Sequence, residues 1–166
     1  MSEHRIAIWN LLHDGTLDRT ERCGGDLQLE IRLSYLATRA LPGSSGLKLT
    51  LHGCTSFAFV AWESSDIVTD LRSISNLELG ILSTDSESRP IDVITDRGVL
   101  KVDFSDLSIE LENGSPISFE ELQEIAKGYW DDFSNRPCPC FPVRPQGDTA
   151  KRSGDAVSSK TKPFSL

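Results

Sequence analysis

Only one methionine, two tyrosines and four cysteines occur in the 166 residues, and no apolar run approaches the length of a membrane span. An export signal needs a hydrophobic stretch before a small-residue cleavage site, and the residues after Met1 offer neither. We therefore expect a protein that lies in the cytoplasm and has no membrane partner.

Motifs that carry chemistry are also missing. The cysteines Cys23, Cys54, Cys138 and Cys140 have no spacing typical of a disulfide framework, which favours reduced thiols. The segment His52-Gly53-Cys54 comes nearest to a metal-binding cluster, but zinc sites normally use Cys-x-x-Cys or a histidine pair. Neither a phosphate-binding glycine loop nor a nucleophile elbow is present. We assign no catalytic residue, metal or cofactor, and expect His52 to be solvated and Cys54 to be buried.

Charge is distributed unevenly along the chain. The last 33 residues hold six basic and two acidic side chains, a net charge of +4. The first 133 residues hold the other 11 basic and 23 acidic side chains, a net charge of −12. Such an acidic domain repels phosphate backbones, so we expect no nucleic acid to bind through it. The acidity suits either plain solubility or a basic protein partner.

Strand patterns dominate the first two thirds of the sequence. Residues 26–36 alternate apolar and polar side chains with the period of two that is typical of a half-buried strand. Further strands are predicted at 16–22, 47–51, 57–62, 77–82, 91–95, 99–104 and 107–112, with 6–12 as either a strand or a short helix. Residues 57–62 are apolar on both faces and indicate a covered strand, while the last three segments form an antiparallel meander. A short helix is predicted at 64–73.

The C-terminal helix has the strongest local signal. Ser118 and Glu121 have the spacing of a capping box, and Ile117 with Leu122 can form the accompanying hydrophobic staple. An apolar stripe then recurs every three or four residues, at Phe119, Leu122, Ile125, Ala126, Tyr129, Trp130 and Phe133. We expect this stripe to lie across the apolar face of the sheet. The predicted fold is α+β: a mostly antiparallel, meander-like sheet of about seven to eight strands, packed by this helix and one short helix.

Five carboxylates mark the other side of that helix. Glu120, Glu124 and Asp131 fall on the exposed face, with Glu121 and Asp132 near its edges. A general acid needs a desolvated carboxyl group, which these positions do not provide. The acidic face is therefore either a solvated helix surface or a docking surface for a basic protein. We predict one acidic domain over residues 1–136, followed by a disordered Pro/Ser/Lys-rich tail over 137–166.

Three segments carry a family resemblance. Residues 51–57, residues 117–122 and the run Gly128-Tyr129-Trp130-Asp131 are similar to small bacterial proteins of uncharacterised or immunity-like type. In those proteins a sheet-rich body ends in a capped helix with a Tyr-Trp-Asp pattern. The resemblance implies a non-enzymatic interaction protein that neutralises a basic toxin. The alternative is a small ligand-binding domain or enzyme whose polar groups converge from distant strands.

Overall fold

The fold, seen in a computed structural model that describes residues 4–84 and 89–136, is α+β with two antiparallel sheets of five strands each. The predicted tail over 137–166 lies outside the described residues. In chain order the described elements are α1 His4–Leu11, β1 Thr16–Cys23, β2 Asp26–Arg32, α2 Ser34–Ala40, β3 Gly46–His52, β4 Ser56–Ala61, β5 Ile67–Val68, α3 Leu71–Ser75, β6 Ile81–Thr84, β7 Ile91–Thr95, β8 Gly98–Asp103, β9 Asp106–Leu111, β10 Pro116–Ile117 and α4 Phe119–Ser134.

The first sheet has the strand order β1-β2-β3-β9-β10. Its register aligns Leu29 of β2 with Leu49 of β3 and Ile109 of β9, so one face is a ladder of buried side chains. Because side chains alternate along a strand, the other face carries polar rows such as Gln28, Thr50 and Ser108. The period-two pattern of the sequence therefore predicted the inward face of this sheet correctly.

The second sheet has the order β5-β4-β8-β7-β6. Strands β7, β8 and β9 form where the sequence predicts them, but the predicted three-stranded meander is wrong. β8 pairs with β4 and β7, whereas β9 leaves this sheet and pairs with β3 and β10. The link of Phe104 and Ser105 thus passes from one sheet to the other, and Phe104 is buried there. One hydrophobic core takes side chains from both sheets and from α1.

Two helices replace predicted strand residues. Residues 6–12 belong largely to α1, which is the helical alternative of the sequence prediction. The predicted strand over 26–36 ends at Arg32, and α2 follows from Ser34. The apolar residues Leu33, Leu36, Ala37, Ala40 and Leu41 have helical spacing, and this pattern outcompetes the short alternation through Tyr35.

The predicted short helix over 64–73 is misplaced. Ile67 lies in β5, opposite Val60 of β4, and 67% of it is exposed. The helix that does form, α3, begins only after Asp70, whose carboxylate accepts a hydrogen bond from the Ser73 backbone N–H at 2.8 Å. Asp70 is therefore the N-cap, and Ile74 is the buried residue of this helix. The strand predicted at 77–82 likewise begins later, at Ile81.

Helix α4 confirms its predicted cap. The Glu121 backbone N–H donates to Ser118 Oγ at 3.2 Å, and the Glu121 carboxylate accepts from the Ser118 backbone N–H at 2.9 Å. Leu122 and Ala126 are buried, and the main packing partners of α4 are α2 and α1 rather than a strand. The prediction that the whole stripe is buried is wrong, because 43% of Trp130 and 54% of Phe133 are exposed.

Candidate functional site

The five predicted acidic residues of α4 do not have equal roles. Glu120 pairs with His4 of α1 at 3.2 Å, and Asp132 pairs with Arg39 of α2. Glu121 closes the capping box, and the hydrogen bonds from the Ser118 backbone and side chain hold the pKa of its carboxyl below the ordinary value. These three carboxylates are engaged in holding α4 in place.

Glu124 and Asp131 are the remaining two. Both are exposed, and neither forms an ion pair with any residue of the described ranges. They are seven residues, two helical turns, apart, so they lie on the same face of α4. Their charges are thus available to a partner without breaking an internal contact.

An aromatic cluster, exposed at Trp130 and Phe133 and half-buried at Tyr35 and Tyr129, lies in the same part of α4. Tyr35 of α2 contacts Tyr129 with 4.4 Å between ring centroids and Trp130 with 5.8 Å. Phe133 lies 6.0 Å from Trp130 and 6.4 Å from Tyr129. We call Tyr35, Tyr129, Trp130 and Phe133 the aromatic cluster. Helical periodicity assigned its members from α4 to the core. It gave no signal of their exposure, since α2, which packs on α4, was predicted as part of a strand.

A groove runs beside the cluster between α4 and the end of α1. Its volume is about 630 Å³, and its walls include Leu11, Tyr35, Leu82, Glu124, Lys127 and Trp130. Leu82 is itself 40% exposed, so the groove presents apolar side chains together with the charged side chains of Glu124 and Lys127. Glu124 also borders a second groove of about 590 Å³, which is lined by Ile117, Glu120, Glu121 and Ile125. Glu124 therefore lines both grooves.

A second polar constellation lies on the outward face of the first sheet. His52 Nδ1 is 2.9 Å from Asp26 Oδ2, and His52 Nε2 is 3.0 Å from Ser108 Oγ. Asp26 Oδ1 accepts a further hydrogen bond from the Gly53 backbone N–H at 2.9 Å. That bond and the contact with His52 lower the pKa of the Asp26 carboxyl. His52 lies on the polar face, as predicted, with 41% of its side chain exposed, and both of its ring nitrogens also have protein partners.

Comparisons with protein-family models, with curated proteins and with solved structures find no match to this chain. Geometry is thus the basis for any functional conclusion.

The remaining sequence predictions concern the cysteines, metal binding and membrane spans. Cys54 is buried, as predicted, and burial raises the pKa of its thiol, which disfavours the nucleophilic thiolate. Within residues 4–84 and 89–136, no three His, Cys, Asp or Glu side chains are placed to hold a metal ion. No helix in these ranges has the length and apolar character needed to cross a membrane. Cys138 and Cys140 lie outside the described residues.

Proposed function

We propose that this chain is a protein-interaction domain of immunity type, which binds a basic protein through the exposed side chains of α4 between Glu124 and Phe133. The observation that carries the proposal is the juxtaposition of exposed Trp130 and Phe133 with the unpaired carboxylates of Glu124 and Asp131. An exposed patch of aromatic side chains indicates a binding surface, because burying their apolar area against a partner lowers the free energy.

The aromatic side chains and the carboxylates contribute to partner binding in different ways. Tryptophan and tyrosine are enriched among the residues that dominate binding free energy, so the aromatic cluster supplies the anchor. The carboxylates supply attraction at a distance, which raises the association rate with a basic partner. The net charge of −12 over the first 133 residues extends this attraction beyond the contact itself.

The proposal narrows the acidic face predicted from the sequence. Glu120, Glu121 and Asp132 already have partners within the fold, so using them would cost an internal interaction. Glu124 and Asp131 have no such cost. The binding surface therefore centres on these two residues and the aromatic cluster, with the other three carboxylates adding to the field around it.

A cytoplasmic setting is part of the same proposal. Cys23 is exposed and Cys54 buried, and both are free thiols. Free thiols suit a reducing compartment. The resemblance of residues 117–122 and 128–131 to immunity-like proteins fits an intracellular protein that blocks a basic toxin.

The first experiment identifies the partner. The full chain is used as bait in native lysate at about 50 mM and about 300 mM salt, and captured proteins are identified by mass spectrometry. We expect a basic protein whose capture weakens as salt rises, because screening reduces exposed charge attraction. The purified partner is then titrated against the full chain by calorimetry.

Variants then locate the surface. Trp130→Ala is expected to weaken binding at least about tenfold, the effect of losing a central aromatic contact. The double variant Glu124→Gln with Asp131→Asn is expected to slow association and flatten its salt dependence. Trp62→Ala is the matched control, since Trp62 is 59% exposed but follows β4 of the second sheet. Equal losses for Trp62→Ala and Trp130→Ala, or capture of no protein at either salt, would contradict the proposal.

A further inference from the structure

We propose that Ser108 is a nucleophile for acyl transfer, with His52 as its general base and Asp26 as the residue that positions His52. A serine hydroxyl, an imidazole and a carboxylate joined in series by hydrogen bonds form the arrangement that activates serine for attack on carbonyl carbon. The distances are 3.0 Å from Ser108 Oγ to His52 Nε2 and 2.9 Å from His52 Nδ1 to Asp26 Oδ2. This inference is independent of the binding role of α4.

The sheet register holds the three side chains together. Asp26 starts β2, His52 ends β3, and Ser108 lies in β9, so each comes from a different hydrogen-bonded strand of the first sheet. The Gly53 N–H bond to Asp26 Oδ1 fixes the carboxylate. Gly53 has φ of +58°, and a Cβ at this position would lie 2.9 Å from Ser105 Oγ. Glycine thus permits the turn that follows His52.

The hydrogen bonds assign a role to each ring nitrogen. An ionised Asp26 carboxylate can only accept, so it selects the tautomer with the proton on His52 Nδ1. His52 Nε2 then accepts the hydrogen bond from Ser108 Oγ, as a general base must. Asp106 lies opposite His52 in the β3–β9 register, and its Oδ1 accepts a hydrogen bond from the Leu107 backbone N–H at 2.9 Å.

A substrate can reach Ser108 from solvent on the polar face of the first sheet. The side chains of His52 and Asp26 are 41% and 38% exposed there, and Ser108 is itself partly exposed. On the polar face, Thr50 stands directly opposite Ser108, with Gln28 next in the row. A hydroxyl and a carboxamide there can donate to a developing oxyanion. The substrate class is an ester, whose carbonyl carbon can approach Ser108 Oγ from this open polar face.

The reaction balances with water as the second reactant. Ser108 Oγ bonds to the ester carbonyl carbon while its proton moves to His52 Nε2. Collapse of the tetrahedral intermediate breaks the bond between the acyl carbon and the alcohol oxygen, and His52 returns the proton to the departing alcohol. Water then attacks the acyl-serine with the same base, which releases the carboxylic acid and restores Ser108.

The test uses a fluorophosphonate probe, which an activated serine attacks with loss of fluoride. The full chain is treated with the probe, the intact mass is measured, and the modified peptide is mapped. We expect one phosphonate per chain, on Ser108, formed at least about tenfold faster than in urea-unfolded protein. The same preparation should hydrolyse p-nitrophenyl butyrate above the buffer rate.

Variants separate catalysis from structure. Ser108→Ala and His52→Gln should lose labelling and hydrolysis, while Ser83→Ala, in β6 of the second sheet, should retain both. Asp26→Asn should slow labelling and shift the His52 ring nitrogen signals in NMR, which report the tautomer. Peptide mapping of wild-type protein decides the question even if a variant unfolds. Labelling on other serines, or no faster than in the unfolded chain, would overturn the proposal.

Discussion

The ion pair between Arg5 of α1 and Asp103 of β8 leads to the sharpest prediction about stability. Arg5 is only 5% exposed, and its Nη2 donates to Asp103 Oδ1 at 3.2 Å. Its guanidinium carbon also lies 4.8 Å from the centroid of the buried Phe104 ring. Arg5 Nε has no hydrogen-bond partner among the described residues. The contact with Asp103 is therefore central to compensating the cost of burying the Arg5 guanidinium.

The two ends of this pair should respond differently to substitution. Asp103→Asn keeps the shape but leaves the Arg5 charge buried with a weaker partner, and such a loss costs about 3–5 kcal/mol in a fully buried pair. The Asp103 side chain is 26% exposed, so we expect about 2–3 kcal/mol here. Arg5→Met removes the buried charge and keeps apolar contact with Phe104, so its cost should stay within about 1 kcal/mol.

Urea unfolding of the full chain measures these changes in the free energy of unfolding. The double variant should be close in stability to Arg5→Met, apart from the small cost of weakening the surface contacts that Asp103 also makes with Arg89 at 3.9 Å and with Thr55 Oγ1 at 3.1 Å. This non-additivity is the result that the burial of Arg5 requires. Equal costs for the two single variants, or simple additivity in the double variant, would refute the reasoning.

Three further predictions concern α4. Leu122→Ala should lower the free energy of unfolding by about 3 kcal/mol, because Leu122 is fully buried. Trp130→Ala should lower it by about 1–2 kcal/mol, because Trp130 is partly exposed and its removal leaves no closed cavity. Urea unfolding of the two variants measures both changes. Glu121 has a folded-state pKa below its ordinary value of 4.5, so its contribution to stability is present above that pH and is lost as pH falls through the lower folded pKa. The urea midpoint of Glu121→Gln should therefore fall less than that of wild type between about pH 5.5 and about pH 3.5. Asp131→Asn should raise thermal stability slightly while weakening partner binding, which melting and calorimetry follow separately.

Local patterns predicted much of the fold. The alternation in β2 and the capping box at Ser118 depend on neighbours within a few residues; the capping box formed as predicted, and the alternation formed a strand as far as Arg32. The strands form two sheets because β9 pairs with β3 and not with β8, and β3 and β9 are far apart in sequence. Periodicity determines which face of a strand is buried but carries no information on its partner strand, so the meander prediction was wrong.

The candidate sites were partly predictable for the same reason. Glu124 and Asp131 could be placed on the exposed face of α4 from helical spacing alone. The partners of Glu120 and Asp132, by contrast, come from α1 and α2. Asp26, His52 and Ser108 are separated by 26 and 56 residues, so only the strand register brings them together. Sequence spacing between such residues has no recognisable pattern.

The charge distribution along α4 is itself informative. A helix is stabilised by acidic side chains in its first turn and basic ones in its last, and the first turn of α4 follows this rule with Glu120 and Glu121. Its last turn has no basic residue, and Asp131 and Asp132 lie close to that end. Arg39 of α2 offsets Asp132, whereas Asp131 forms no ion pair within the described residues, and Lys127, one turn earlier, is the one cation of α4. A cationic side chain of a partner beside Trp130 would supply the missing charge, so binding and relief of this repulsion would occur together.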